Sequence, residues 1–363
     1  MKTRKLIALF LSLVMICSFL AACSSSETSA PKKAEETVSE PQQSGAETGA
    51  EAVQEATGSK LDGSGLKIGL SQQHLTNDFN RGILAGATQM AKDLGAELIT
   101  ANAQGDSNQQ VADMENFLTM GVDAVIIGGG EAPAFAEVIK KMNDANIPII
   151  TIDMTRSDTT NCNLTSDNFN AGEQLGLYVA NKLGGVGNIL LLDTPGWHSI
   201  EIRVRMLEEI TSDFPELNIA QTISIGTQDA VNNYAKEVKA YLQGNPDIQC
   251  IYADWGLAAV GASQALRELG LTDEIFVVTI DADQVVMEEM MKDDSPLSAV
   301  IGQYPAKMGS GAVENAIKAV QGTEIPGEIY IPIILIEKAD PYAWFSSPEI
   351  MTPDEAWNAL YGG

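Results

Sequence analysis

Histidine, cysteine, aromatic and basic side chains are all scarce in this chain, and each shortage removes a class of function. The two histidines, His74 and His198, lie far apart with no cysteine at ligand spacing beside either, so neither reads as part of a zinc site. Only 22 lysines and arginines face 49 aspartates and glutamates, a formal charge of −27 that repels phosphate backbones and argues against nucleic-acid binding. After Leu20 no apolar run is long enough to span a bilayer. Gly128-Gly129-Gly130 lacks the lysine and spacing of a phosphate cradle and reads as a tight strand-to-helix turn. Asp281, Asp283 and Gln284 lack the remaining spacing and terminal glutamate of a calcium loop. No nucleophile elbow and no nucleophile–base–orienter set is present. The reading is of a protein without metal or cofactor that does no chemistry.

What is present begins at the N-terminus. Lys2, Arg4 and Lys5 precede an apolar run over 6–20, which ends in Leu20-Ala21-Ala22-Cys23. A positive segment, a short apolar core and small residues at the cut site make a secretory signal over 1–22. The cysteine that follows resembles the lipidated residue of a bacterial lipoprotein, so Cys23 is the expected anchor, and two acyl chains hold a protein stably at a membrane. Cleavage removes three cations and no anion, which lowers the charge of −27 by three to −30. Residues 24–65 are Ser, Glu, Ala, Thr, Gln, Gly and Pro-rich with no aromatic, a composition that stays disordered. Such a tether spans about 35–40 Å. Cys162 and Cys250 are expected as two free, buried thiols in different lobes rather than a disulfide.

From Leu66 onward short β-branched runs alternate with helical patterns. The spacing predicts strands over 66–70, 97–100, 123–127 and 147–152, with helices over 79–94, 109–120 and 134–145 between them. After Ser166-Asp167-Asn168 the alternation restarts, with strands over 188–192, 219–225, 248–253 and 275–280. Apolar strands separated by helices imply parallel sheets covered on both faces. Two successive series suggest two similar lobes. Their strongest echo is Ile149-Ile150-Thr151-Ile152-Asp153 against Val277-Val278-Thr279-Ile280-Asp281. Each places an aspartate just past the carboxyl end of a strand, where open α/β sheets bind ligands. Alternatively, each aspartate only caps the helix that follows.

In this order and spacing the chain resembles the type I periplasmic sugar-binding proteins of ABC importers, in the ribose-binding subgroup, over roughly 66–338. The carriers are Asn77-Asp78-Phe79, Asn146-Ile147-Pro148-Ile149-Ile150-Thr151-Ile152-Asp153, Ser166-Asp167-Asn168, Arg203-Val204-Arg205, Pro246-Asp247-Ile248-Gln249, Thr279-Ile280-Asp281 and Gly302-Gln303-Tyr304-Pro305. The resemblance implies an α/β fold of two Rossmann-like lobes joined by a three-crossing hinge, with crossings near 166–168, 303–304 and 332–335. It implies a first lobe of 66–166 plus 304–332, a second of 167–303 plus 333–345, and a C-terminal extension over 346–363. Ligand would bind between the lobes and favour their closure.

Carried over by position, the resemblance implies ligand contacts from Asn77, Phe79, Asp153, Arg205, Asp281 and Gln303. Carboxylates accept and guanidinium donates paired hydrogen bonds to adjacent hydroxyls. The chain departs from the family at Met154 and Gly128, where an arginine and an asparagine are replaced, and at Asp254-Trp255. Trp255 either stacks on the ligand or is buried in the second lobe. His198 either bonds ligand or sits in a solvated loop. The expected function is capture of a monosaccharide or related polyol for delivery to an ABC permease by a monomer that meets the membrane only through its lipid. A ligand sensor using the same closure, read by a chemoreceptor or sensor kinase, is the alternative. A DNA-binding regulator is excluded, because the signal and acidic tether stand where its helix-turn-helix would be.

Overall fold

The computed structural model describes residues 61–130 and 132–338. The signal, Cys23, most of the tether and the C-terminal extension lie outside the described residues.

The chain opens with β1 (Lys67–Gln72), α1 (Asp78–Leu94), β2 (Glu97–Asn102), α2 (Ser107–Met120), β3 (Ala124–Gly128), α3 (Ala136–Asp144), β4 (Ile149–Ile152) and β5 (Cys162–Ser166). The local signals are ordinary ones. Asn77 begins α1 by accepting a 2.9 Å hydrogen bond from the Asn80 N–H, and Asp106 does the same for α2 at the Asn108 N–H. Gly95 ends α1 with φ of 78°, a left-handed turn that glycine enters without a Cβ penalty.

The second series is α4 (Asn168–Lys182), β6 (Val186–Asp193), α5 (His198–Ser212), β7 (Glu216–Ser224), α6 (Ala230–Gly244), β8 (Cys250–Ala253), α7 (Gly256–Leu269), β9 (Phe276–Ile280), α8 (Gln284–Met290) and β10 (Leu297–Gly302). The chain then returns through α9 (Pro305–Val320) and β11 (Glu328–Ile331) and ends in β12 (Ile334–Glu337).

The described residues form two six-stranded sheets. The first has the order β11-β5-β4-β3-β1-β2 and is parallel throughout, the second the order β12-β10-β9-β8-β6-β7. Among the described residues only β12 runs antiparallel, against β10. The chain changes sheet at three places: between Ser166 and Asn168, between Gly302 and Pro305, and between Ile331 and Ile334. This is the expected two-lobed α/β architecture.

Each sheet is covered on both faces by apolar cores. In the first lobe one face packs Ile68, Leu70, Ile126 and Ile150 against α1 and α9, and the other packs Val125, Ile127 and Ile149 against Met114 and Phe117 of α2 and Met142 of α3. Helices α1 and α9 approach backbone to backbone. A Cβ on Gly309 would collide with the Ile83 carbonyl, and one on Gly86 with the Ala306 carbonyl. Cys162 and Cys250 are free and buried in different sheets, as expected.

Four strands were not anticipated from the sequence: β5, β10, β11 and β12. β5 reads Cys-Asn-Leu-Thr-Ser, yet all five residues are buried. Asn163 is satisfied internally by the Thr151 hydroxyl at 2.9 Å and the Met154 carbonyl at 2.8 Å, and Thr165 by Asp153 at 2.8 Å, whereas the Ser166 hydroxyl has no partner among the described residues. A buried strand with paired polar groups shows no apolar periodicity. Among the described residues no helix is long and apolar enough to cross a membrane.

Candidate functional site

The two aspartates of the internal echo occupy equivalent places. Asp153 follows β4 with φ of 54°, and Asp281 follows β9 with φ of 82°. Positive φ is uncommon outside glycine, and aspartate is among the residues that tolerate it. The strand end thus turns sharply in both lobes, and the carboxylate leaves the sheet at its carboxyl edge.

Arg203 of α5 pairs with the second of them. It is 2% exposed and donates through Nε to Asn168 Oδ1 at 2.9 Å. Its Nη1 reaches the Asp254 carbonyl at 3.1 Å and Asp281 Oδ2 at 3.4 Å. Gln303 Nε2 donates to the other Asp281 oxygen. Asp153 accepts from Thr165 Oγ1 at 2.8 Å and, across the boundary between the lobes, from Ser199 Oγ at 3.3 Å. Burial pushes the Asp153 carboxyl above the usual range, the Arg203 guanidinium and the Thr165 hydrogen bond oppose that shift, and the Asp281 carboxylate adds to it. Helix α5 thus reaches both carboxylates, Asp281 through Arg203 and Asp153 through Ser199.

Arg205, the arginine taken from the resemblance, is not part of this cluster. It is exposed, whereas the buried stripe of α5 runs through Ser199, Ile200, Ile202, Arg203 and Leu207. Two residues along a helix turn a side chain by about 200°. The 199/203/207 spacing was available in the sequence and points to Arg203.

The remaining expected residues divide. Phe79 lines a cavity of about 670 Å³ together with Asp281 and Gln303. Asn77 spends its side-chain oxygen on the α1 cap. Trp255 packs against the core of the second lobe and lines neither this cavity nor a smaller one of about 130 Å³. The smaller cavity is bordered by Asp153, Met154, Thr165, His198, Ser199 and Tyr330. Gln303 is 6% exposed, and its Oε1 has no hydrogen-bond partner.

Two departures acquire a physical meaning. Where Gly128 replaces the family's asparagine, the Gln72 amide from β1 fills the vacated volume, and a Cβ at position 128 would collide with Gln72 Oε1. Asp254, fully buried, accepts from the Thr194 N–H at 2.6 Å, and burial pushes its carboxyl up to about 7. Its backbone carbonyl holds Arg203 in place. Among the described residues no group of three or more His, Cys, Asp or Glu side chains could hold a metal ion. The arrangement offers acceptors and donors for hydroxyl groups, with an aromatic ring beside them.

The family model described as the periplasmic binding protein domain matches residues 68–324. The ribose import binding protein of Bacillus subtilis (strain 168) is 28% identical over 270 residues, covering 74% of this chain and 86% of that protein. An ABC transporter solute binding protein from Agrobacterium vitis, solved with bound allitol, is 27% identical with a TM-score of 0.69, over 76% of this chain and 96% of that one. A second solute binding protein, from Bacillus halodurans C-125 with bound myo-inositol, is 25% identical with a TM-score of 0.71, over 83% and 99%. The chain belongs to the periplasmic binding protein domain family, in its type I sugar-binding branch.

Proposed function

We propose that this protein is an exported receptor that captures a monosaccharide or related polyol between its lobes and hands it to an ABC permease. The observation that carries the reading is the pair of aspartates at the carboxyl ends of β4 and β9, one from each lobe, with Arg203 bonded to Asp281 and Ser199 bonded to Asp153. Carboxylates and a guanidinium held this way match vicinal hydroxyls in pairs. Ribose, allitol and myo-inositol, named for the relatives above, are all hydroxyl-rich and uncharged, which supports the class without selecting a member.

In this reading Asp153, Asp281, Arg203 and Gln303 bond hydroxyls, and Phe79 packs against an apolar face of the ring. Asn77 shapes the entry turn of α1, and Arg205 takes no part. Residues 61–166 with 305–331 form one jaw, and 168–302 with 334–337 the other. Closure is favoured because ligand touches both. The receptor binds and releases without transforming its ligand. It is a monomer tethered through lipid on Cys23 to the outer face of the cell membrane.

Calorimetry against pentoses, hexoses and polyols tests the reading. Binding tighter than millimolar by at least one of them is the expected result, and uniformly weaker binding overturns it. Radiolabelled palmitate in the wild-type protein but not in Cys23→Ser tests the anchor.

A further inference from the structure

The chain first passes from one lobe to the other between Ser166 and Asn168, and the Asn168 side chain turns back across that passage. Asn168 opens α4 and is 2% exposed. Its Nδ2 donates to the Ser166 carbonyl at 3.0 Å and to the Thr165 hydroxyl at 3.2 Å, both in β5. Its Oδ1 accepts from Arg203 Nε at 2.9 Å. A primary amide has two N–H donors, so both serve the first lobe while the oxygen serves the second.

The bonds on either side continue the series. Thr165 Oγ1 donates to Asp153 Oδ1 at 2.8 Å, and Arg203 Nη1 donates to Asp281 Oδ2 at 3.4 Å. From Arg203 to Asp153 every donor points the same way: guanidinium to amide, amide to hydroxyl, hydroxyl to carboxylate. Hydrogen bonds in series polarise and strengthen one another. A planar guanidinium bonded at both Nε and Nη1 has its plane fixed, and Asn168 supplies the Nε half of that constraint.

The other crossings offer no equivalent. Among the described residues Gln303, at the second, donates to Asp281 alone, and Pro332-Ile333, at the third, is apolar. The Asp78–Gln284 and Ser199–Asp153 bonds join residues far apart in the chain. Asn168 and Thr165 are three residues apart, at a pivot about which the lobes turn.

We propose that Asn168 is the positioning residue that sets the two halves of the sugar site in register, holding the Arg203 plane in the second lobe and, through Thr165, the Asp153 carboxylate in the first. The inference rests on the reading of the cleft as a sugar site. It makes the first crossing part of the binding machinery as well as a hinge.

Two measurements on the intact protein test it. The Arg203 Nε–H resonance, identified by its loss in Arg203→Lys, is followed by nitrogen-15 NMR with no sugar present. Thr165→Val removes the first-lobe hydroxyl and is expected to shift that resonance and speed its exchange with water, and Thr165→Ser restores both. Calorimetry with ribose, allitol, myo-inositol and the other pentoses, hexoses and polyols then reads affinity. Asn168→Ala is expected to weaken the binding found about ten-fold or more and Thr165→Val about three- to ten-fold, with the double variant losing less than the product of the two. A resonance unmoved in Thr165→Val overturns the coupling. Losses that multiply also overturn it, by making Asn168 an independent ligand contact beside the smaller cavity it borders. Should Asn168→Ala fail to fold, the resonance in the Thr165 variants decides alone. Failure of every sugar to bind, with the resonance shifted in Thr165→Val, overturns the sugar reading and leaves the coupling standing.

Discussion

The Asp78 carboxylate accepts a 2.9 Å hydrogen bond from the backbone N–H of Gln284, which joins α1 of the first lobe to the start of α8 in the second. With the Ser199–Asp153 bond it makes a second link across the cleft, on a separate element pair. Both links exist only while the lobes are apposed. Asp78→Ala is therefore expected to favour the open form and to weaken ligand binding about three- to ten-fold, mainly through faster release. Titration calorimetry with stopped-flow dissociation checks this, and an unchanged constant would show that the contact does not stabilise closure.

Arg203 and Arg205 should behave oppositely when truncated. Arg203→Ala leaves Asp281 buried without its guanidinium and Asn168 without its donor, at a cost of roughly 3–5 kcal/mol. Loss of measurable sugar binding is expected with it. Arg205 is exposed, and Arg205→Ala should change stability by no more than about 0.5 kcal/mol. Paired urea denaturation and binding measurements on the two variants decide the matter.

Asp254 gives the protein a pH dependence of definite sign. Its carboxyl titrates near 7 in the folded chain and near about 3.9 when unfolded. Between those values the folded state holds a proton that the unfolded state has released, so this group makes stability fall as pH rises, by up to about 1.4 kcal/mol per pH unit. Below both values the contribution is flat. Asp254→Asn keeps an acceptor for the Thr194 N–H and should flatten the slope between about pH 4 and about pH 7. Asp153 and Asp283 are raised in the same direction, so part of the slope remains. Urea midpoints across a pH series measure it.

Gly309→Ala should destabilise the first lobe by about 1–3 kcal/mol or more, because the added methyl meets the Ile83 carbonyl of α1 rather than a side chain that could turn away. Thermal unfolding of the variant checks this, and an unaltered midpoint would mean that α1 and α9 can separate freely.

Much of this is legible in the sequence, and the rest is hidden for identifiable reasons. The alternation of apolar strands and amphipathic helices exposed most elements, because parallel strands buried on both faces read as continuous apolar runs. The Thr-Ile-Asp echo located both aspartates. The strand β5 is hidden because Asn163 and Thr165 find their partners inside the protein. Arg203 lies on the buried helical stripe that Leu207 anchors, a pattern that the short Arg-Val-Arg string obscures. Asn77, expected as a ligand contact, also has the spacing of a cap to the Asn80 N–H. Gln72 gave no signal at all, since its part depends on what Gly128 leaves unfilled across the sheet.

The return of the chain through α9 has a consequence for biogenesis. α1 packs on α9, yet more than two hundred residues separate them in the order of synthesis. A nascent chain therefore carries the exposed apolar flank of α1 until its last portion emerges, and long-range contacts of this kind close slowly. A polypeptide that cannot complete its first half early stays threadable for longer, which suits passage through a narrow translocation channel before it locks shut.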